Sequence, residues 1–278
     1  MDKVTCFQEI LTAIKIVKES KKGYITNFYP EVDKINGWIE NGQFLKKTIG
    51  DTVFFLKEGP EFLRLFYCSP SIDDLDKSLS LLKSLMDTNH LVADIIGKEP
   101  DIQLTLNILK KNGFFEYTIL KRMNRISDKD ELTDSNSSLK YADTTYSNSI
   151  YDLLHLYFDP IAEQLPTLDE INAWIKLNHL ILVEEKKEIL GLVIFDIIGV
   201  TSYLRYWFVH PEHRNKKIGS LLLNEYFKNS ADTKRQIFWV IQSNENAITR
   251  YLHYGYQPEN LFDIIMTNKN IHYETTNN

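Results

Sequence analysis

Cysteine is scarce in this chain of 278 residues: only Cys6 and Cys68 occur, and their spacing matches no metal site. A reducing cytoplasm is therefore the default, and we expect no metal and a cytoplasmic location. No apolar run reaches the roughly 18 residues that a membrane span needs. Residues 1–6 lack the charged-then-apolar pattern of a signal peptide, so we expect no membrane partner.

Positive charge is also in short supply, because 32 Lys and Arg face 38 Asp and Glu for a formal net charge of −6. This balance argues against a general nucleic-acid binder. Residues 1–126 carry 18 basic and 17 acidic side chains, whereas residues 127–278 carry 14 and 21. The acidic second half either attracts a cationic amine or simply has a solubilising surface.

The most informative stretch is 206–227, in which an apolar run, a basic loop and an amphipathic helix follow one another. Aromatic and β-branched residues at its start predict a buried strand, which Pro211 ends because it lacks an N–H group. Gly219 and Ser220 then open a helix whose first N–H groups have no partner within the helix. Since the helix dipole is positive there, this order of elements favours phosphate binding.

The same stretch resembles motif A of the GNAT N-acetyltransferases, in which Arg/Gln-x-x-Gly-x-Gly/Ala holds the pyrophosphate of acetyl-CoA. The matching residues are Val209, Pro211, Arg214, Ile218 and Gly219. Lys217 stands where the family has its first glycine, so its side chain either crowds the phosphates or adds a cation beside them. The resemblance implies a set of acetyl-CoA-binding residues: Phe208, Val209, Arg214, Asn215, Lys216, Lys217, Ile218, Gly219, Ser220 and Asn244.

A second motif at residues 244–256 resembles N-x-x-A-x-x-x-Y-x-x-x-G-[FY], which is motif B of the same family. The apolar run 237–241 before it predicts a strand, Asn244 or Ser243 can cap the helix, and Gly255 ends it. By resemblance, Tyr251 is the catalytic residue that protonates the leaving thiolate of CoA. The alternative is a core or surface tyrosine.

A general base is not evident, because the strand 202–208 holds no carboxylate where many relatives have a glutamate. Asp196 on the neighbouring strand and Glu163 between two predicted helices are candidates, and the alternative is that both are bystanders. We interpret His210 as a structural residue at a strand end. The aromatic residues that line either an acceptor pocket or the core are Phe158, Trp174, Tyr203 and Tyr206.

The N-terminal half repeats the element order of residues 180–268 without its motifs. A hairpin of 52–57 and 62–68, a helix, a strand, a helix ended by Gly113 and a final strand are predicted, and 45–50 is predicted as a connector. No basic loop or glycine follows the hairpin, and Leu109 stands where motif B has Tyr251. We predict an old duplication whose first copy neither binds CoA nor catalyses, and serves as a scaffold or as a wall of the acceptor site.

These patterns predict an α/β (α+β) chain of two GNAT-like domains, each with a mixed, mostly antiparallel sheet flanked by helices. We predict a degenerate domain at 1–126, a polar linker at 127–138 and an acetyltransferase domain at 139–278.

The implied function is acetyl-CoA-dependent transfer of an acetyl group to a primary amine of a small molecule or peptide, by direct attack. One alternative is a non-catalytic acyl-CoA sensor. Another is a peptidyl or aminoacyl transferase of tandem GNAT type, which the acidic second half disfavours because such enzymes bind charged tRNA. We expect no nucleic-acid partner and either a monomer or a homodimer.

Overall fold

The computed structural model describes residues 1–20, 22–127 and 138–270. Its helices are α1 (Phe7–Glu19), α2 (Val32–Glu40), α3 (Ile72–Ser80), α4 (Lys83–Thr88), α5 (Glu99–Lys111), α6 (Ser147–Tyr157), α7 (Leu168–Lys176), α8 (Ile218–Asn229) and α9 (Glu245–His253). Its strands are β1 (Asp2–Lys3), β2 (Ile25–Thr26), β3 (Phe44–Ile49), β4 (Thr52–Glu58), β5 (Leu63–Ser69), β6 (Leu91–Gly97), β7 (Phe115–Ile126), β8 (Leu139–Tyr141), β9 (Leu180–Glu185), β10 (Glu188–Ile198), β11 (Thr201–Val209), β12 (Arg235–Ile241) and β13 (Gln257–Thr267). Among the described residues, no helix is both long and apolar enough to cross a membrane.

The chain divides into two compact units that do not follow a single cut in the sequence. The first holds Met1–Leu120 and the described residues 260–270, and the second holds Lys121–Glu259. The end of β7 thus belongs to the second unit, and the end of β13 belongs to the first. This division differs from the predicted domains, which kept the whole C-terminal strand with the second half; most of the predicted linker, 128–137, lies outside the described residues.

The first unit is a mixed sheet in the strand order β1-β3-β4-β5-β6-β13. β5 and β6 are parallel, whereas β13 runs antiparallel to β6 from Phe262↔Gly97 to Thr267↔Val92. One face of the sheet packs against α1 and α2, and the other packs against α3 and α5. The prediction of a connector at 45–50 was wrong, because β3 covers most of this range and pairs with β4 along its length. Phe44 and Leu45 are buried at the start of the strand, but the polar residues after them do not show a strand pattern.

Two carboxylates lie close together inside the first unit. Arg64 donates two hydrogen bonds to Asp94, at 2.5 and 2.6 Å. Asp263 is only 6 % exposed, and its Oδ1 has no hydrogen-bond partner among the described residues. Burial, followed by the charge of Asp94, raises the pKa of Asp263 well above its usual range, while Arg64 opposes the shift.

Replacing Asp263 with Asn is expected to stabilise the protein at neutral pH by roughly 1–3 kcal/mol, because it removes a buried acid whose raised pKa disfavours the native state above the unfolded-state pKa. The folded-state pKa lies above the unfolded-state value, so the native protein loses stability as pH rises through this interval. Urea denaturation at pH 5 and pH 8 should show a smaller loss for Asp263→Asn than for the parent. Asp94→Asn, which breaks the pair with Arg64, should instead destabilise at both values.

The second unit is also a mixed, mostly antiparallel sheet, in the order β12-β11-β10-β9-β8, with the end of β7 beside β12. The pairs β8–β9, β9–β10 and β10–β11 are antiparallel, whereas β11 and β12 are parallel. α6 and α7 cover one face, and α8 covers the other. The predicted fold class, helix-flanked mixed sheets, is confirmed.

Candidate functional site

A V-shaped gap opens in the sheet of the second unit. β11 and β12 are paired only from Thr201↔Arg235 to Tyr203↔Ile237, after which the strands part. The gap continues into a cavity of about 760 Å³ whose walls include residues 204–209 and 238–241. Parted parallel strands leave main-chain groups without a strand partner, so the gap can bind an extended ligand by main-chain hydrogen bonds.

Five of the predicted site residues line this cavity: Phe208, Val209, Arg214, Asn244 and Tyr251. The others, Asn215 to Ser220, lie at the turn before α8 and at the start of that helix. Of the four aromatic residues considered for an acceptor pocket, Phe158 and Tyr206 line the cavity. Trp174 and Tyr203 are not among its lining residues.

The main chain of β11 presents alternate residues to the gap. The N–H of His210 donates to the carbonyl of Leu190 on β10 at 2.9 Å. Because successive residues of a strand point their polar groups to opposite edges, those of Val209 and Trp207 face the gap. The main chain of Phe208 faces β10, and its ring packs 4.8 Å from that of Tyr157.

The turn before α8 has a left-handed residue at its end. Lys217 adopts φ +58° and ψ +13°, and α8 begins directly after it without a side-chain cap. A glycine takes this backbone conformation without steric cost, whereas a lysine does not. Lys217, which stands at the first glycine of the motif, therefore adopts the left-handed conformation that a glycine would adopt. The first N–H groups of α8 have no capping side chain.

Gly219 is required by packing at the same helix start. A Cβ atom there would lie 3.0 Å from Cζ2 of Trp207 and 3.4 Å from Cγ2 of Val209. The indole Nε1 of Trp207 donates to the carbonyl of Gly219 at 3.2 Å. The small residue thus lets α8 approach the strand that borders the gap.

Replacing Lys217 with Gly is expected to raise the free energy of unfolding by about 0.5–1 kcal/mol, because glycine relieves the left-handed strain. Lys216→Gly removes the same charge from a residue whose φ is not positive, and it should lower stability by about 0.5–1 kcal/mol. Urea denaturation of both variants gives the comparison. Equal effects of the two substitutions would contradict the strain argument.

Tyr251 projects from α9 into an aromatic cluster at the cavity. Asn244 caps this helix by accepting a hydrogen bond from Ala247 N at 3.0 Å. The ring of Tyr251 lies 4.1 Å from that of Phe238 and 5.3 Å from that of Trp207. Burial, and then the charge of Glu163, raise the pKa of Tyr251 above its usual value, so the phenol remains protonated at neutral pH.

The loop between α6 and α7 adds two carboxyl groups to the cavity wall, Asp159 and Glu163. Asp159 is 7 % exposed and accepts hydrogen bonds from the N–H groups of Ile161 and Ala162 at 2.8 and 3.2 Å. Burial, followed by the charge of Asp159, raises the pKa of Glu163 to about 8. Glu163 is thus poised to exchange a proton near neutral pH.

The two candidate bases from the sequence are in different settings. Asp196 receives hydrogen bonds from Trp174 Nε1 at 2.7 Å and Arg205 Nε at 2.6 Å, and it does not line the cavity. Glu163 does line it. The sequence signal for Glu163 and Asp159 was weak, because a carboxylate in a loop reveals neither its burial nor the neighbours that shift its pKa.

The corresponding gap of the first unit is filled by the chain itself. β5 and β6 are paired only at Leu63↔Leu91 and Arg64↔Val92, so these strands also part. β2 pairs with the end of β5, at Ile25↔Ser69 and Thr26↔Cys68. Since β4 covers the other edge of β5, β2 lies along the edge that β6 leaves open.

Asn27 completes this filling by bridging the two strands. Its Oδ1 accepts from the N–H of Tyr67 at 2.7 Å, and its Nδ2 donates to the carbonyl of Leu65 at 3.0 Å. The same Nδ2 lies 3.2 Å from the carbonyl of Asp94 on β6. The amide therefore takes up the main-chain groups that a ligand would need.

The helix that follows the first gap also lacks an open, electropositive start. Ser71 caps α3 by accepting from Asp74 N at 3.1 Å, and Asp73 and Asp74 lie in its first turn. These acids disfavour a bound phosphate. Leu109, at the position corresponding to Tyr251, is fully buried in the apolar core.

Comparison with solved structures finds the same architecture in other proteins at low sequence identity. The tandem GNAT protein from the clavulanic acid biosynthesis pathway has a TM-score of 0.61 and 10 % identity, over 98 % of this chain and 99 % of that one. A GCN5-related N-acetyltransferase from Sphaerobacter thermophilus has a TM-score of 0.58 and 11 % identity, over 96 % and 94 %. A GNAT-family acetyltransferase from Colwellia psychrerythraea has a TM-score of 0.54 and 12 % identity, over 92 % and 96 %.

At these identities the structural likeness concerns the fold. No curated protein matches the chain in sequence at a significant level. Residues 147–256, however, match the model of the Acetyltransferase (GNAT) family. This range includes the parted strands, the turn before α8 and Tyr251, so the part of the chain that is similar to the GNAT family is the part that forms the cavity.

Proposed function

We propose that the second unit is an acetyl-CoA-dependent N-acetyltransferase that acts on a primary amine. The observation that carries the proposal is a single cavity between parted strands that brings together Arg214, Tyr251 and Glu163. An anion-binding turn at one end suits the pyrophosphate, and two proton-exchanging groups suit the thioester end. In the first unit, β2 and Asn27 fill the gap and Ser71 caps the helix that follows it. These features support CoA binding by the second unit alone.

Acetyl-CoA would be held mainly by main-chain groups. The pantetheine amides pair with the polar groups of Trp207 and Val209 that face the gap, and the pyrophosphate lies at the start of α8 with Arg214 beside it. The left-handed turn at Lys217 directs the helix start toward the phosphates and adds a cation. Such positioning supplies much of the rate in a direct transfer.

The chemical step is attack of a neutral amine on the thioester carbonyl. Glu163, when ionised, accepts a proton from the incoming ammonium, so that the nitrogen has a free lone pair. The C–N bond forms, the C–S bond breaks, and Tyr251 donates its proton to the departing sulfur. The nitrogen then loses its second proton, which restores the phenol of Tyr251, and exchange with solvent removes the first proton from Glu163.

The acceptor is expected to be a cation before it reacts. Asp159 and Glu163 lie in the cavity wall beside Phe158 and Tyr206. A carboxylate attracts a protonated amine, and aromatic faces bind both cations and apolar substituents. A primary amine with an apolar body therefore fits this part of the cavity.

Replacing Glu163 with Gln is expected to lower kcat/KM about 10²–10⁴-fold, which is the usual contribution of an acid–base group. In the parent, kcat/KM should rise with pH and level off above about 8, because Glu163 acts in its ionised form. The variant should lose this rise. Asp196→Asn, which alters the other candidate base, should retain it in a profile measured from pH 6 to 9.5.

The proposed function is tested by incubating the full chain with acetyl-CoA and a panel of primary amines, with release of the CoA thiol as the readout. Thiol release that depends on one class of amine supports the transferase. Saturable acetyl-CoA binding without amine-dependent release points to the sensor alternative. Absence of acetyl-CoA binding by calorimetry would refute both.

A further inference from the structure

A group of three potential metal ligands lies outside the cavity wall, in the turn that leads into α8. Ligand atoms of His210, Glu212 and His213 all lie within 4.8 Å of one another. From the sequence we expected no metal, and His213 belongs to neither motif. We propose that these residues form a binding site for a divalent transition-metal ion of the zinc type.

The backbone of the turn explains why the histidines meet. Pro211–Lys216 is a 3₁₀ helix, and His213 N donates to His210 O at 2.8 Å. Residues three apart are eclipsed in a 3₁₀ helix, because it has three residues per turn. The two imidazole rings consequently lie with their centroids 5.6 Å apart.

Both histidines have a buried ring nitrogen in need of a partner. The Nδ1 atoms of His210 and His213 are buried and have no hydrogen-bond partner among the described residues. Buried polar atoms without partners are rare because they are costly. A metal ion bound by both nitrogens would satisfy the two atoms at once.

His210 is already oriented as a metal ligand would be. Its Nε2 lies 3.3 Å from the hydroxyl of Tyr157, whose ring also meets the imidazole edge-on at 6.0 Å. With the proton on Nε2 donated to this hydroxyl, the lone pair is on Nδ1. Ligating histidines commonly use their second nitrogen in this way, which holds the ring in place.

The donor set favours zinc over calcium or magnesium. Two imidazoles and one carboxylate suit zinc and neighbouring transition metals, whereas calcium and magnesium prefer oxygen ligands. Zinc bonds of about 2.0–2.1 Å place ligand atoms about 3.4 Å apart. Glu212 is exposed, so its side chain can rotate to close the remaining distance.

Tag-free full-length protein, stripped with a chelator, is titrated with ZnCl₂ alone by calorimetry. We expect one site with a Kd of about 10 µM or below. His213→Ala and Glu212→Gln should weaken it at least 10-fold, and Tyr157→Phe about 10-fold or more. His253→Ala, which removes an exposed histidine of the same unit, should leave Kd unchanged.

Cobalt provides a second readout that does not depend on folding stability. Stoichiometric Co²⁺ should give visible absorption bands in the parent and in His253→Ala, and these should be lost in His213→Ala. Circular dichroism of the apo variants checks that the fold persists. A zinc Kd above roughly 1 mM, or tight binding that survives both His213→Ala and Glu212→Gln, would overturn the proposal.

Discussion

Gly219→Asp is expected to weaken acetyl-CoA binding at least 100-fold relative to Gly219→Ala. Any side chain at this position places a Cβ atom 3.0 Å from Trp207, so both variants share the same packing defect. Only the aspartate adds a negative charge at the start of α8, where we propose that the pyrophosphate binds. A 100-fold change corresponds to about 2.7 kcal/mol of binding free energy.

Calorimetric titration of both variants with acetyl-CoA separates charge from packing. Circular dichroism and thermal midpoints establish that each variant folds. If Gly219→Asp and Gly219→Ala bind with the same affinity, the pyrophosphate does not lie at this helix start. If Gly219→Ala alone already abolishes binding, Ser220→Asp provides the charge test without the Trp207 contact.

Tyr251→Phe is expected to lower kcat about 10²–10⁴-fold while leaving acetyl-CoA affinity nearly unchanged. The substitution keeps the ring, which packs 4.1 Å from Phe238, and removes only the hydroxyl. The thiolate would then take its proton from water. This loss corresponds to about 3–5 kcal/mol of activation free energy.

The matched control is Tyr254→Phe, which changes the residue that follows the end of α9, three positions after Tyr251. The hydroxyl of Tyr254 bonds to Ser220 Oγ at 2.7 Å, so this variant tests the loss of a phenol that supports the helix start. It should affect acetyl-CoA affinity more than kcat. A Tyr251→Phe enzyme with the parental kcat, under conditions where chemistry limits the rate, would make Tyr251 a packing residue.

The elements around the motifs were predictable because their signals are local. Asn244 does cap α9, and Gly255, at φ +82°, does follow its end. Caps and left-handed glycines act over three or four residues, so neighbouring sequence suffices to indicate them. Ser71 at the start of α3 is a further example.

The turn at His210 shows a local signal that was overlooked. Two histidines three positions apart, with Pro211 directly after the first, match a 3₁₀ turn, in which they are eclipsed. From the sequence we interpreted His210 as a structural residue at a strand end. In the structure β11 ends at Val209, directly before it. The other two proposed ligands, Glu212 and His213, come close to His210 because the turn that follows it is a 3₁₀ helix.

The first unit shows why long-range pairing escaped prediction. β13 pairs with β6 across more than 160 residues of sequence, and no local pattern specifies which edge strand it joins. The role of Asn27 was equally unpredictable, because its side-chain amide donates hydrogen bonds to the carbonyls of Leu65 and Asp94, which are far away in sequence. An asparagine in a polar segment looks like an ordinary turn residue.

The sequence by itself determined the class of fold, the order of strands and helices in the second unit, and the two motifs that resemble those of the GNAT family. These depend on apolar periodicity, turn residues and caps, all of which are short-range. Only the tertiary structure decided that β11 and β12 part, that Glu163 rather than Asp196 borders the cavity, and that the first gap is filled. Those outcomes follow from burial and from contacts between distant segments, which shift the pKa of Glu163 and take up the open edge of β5.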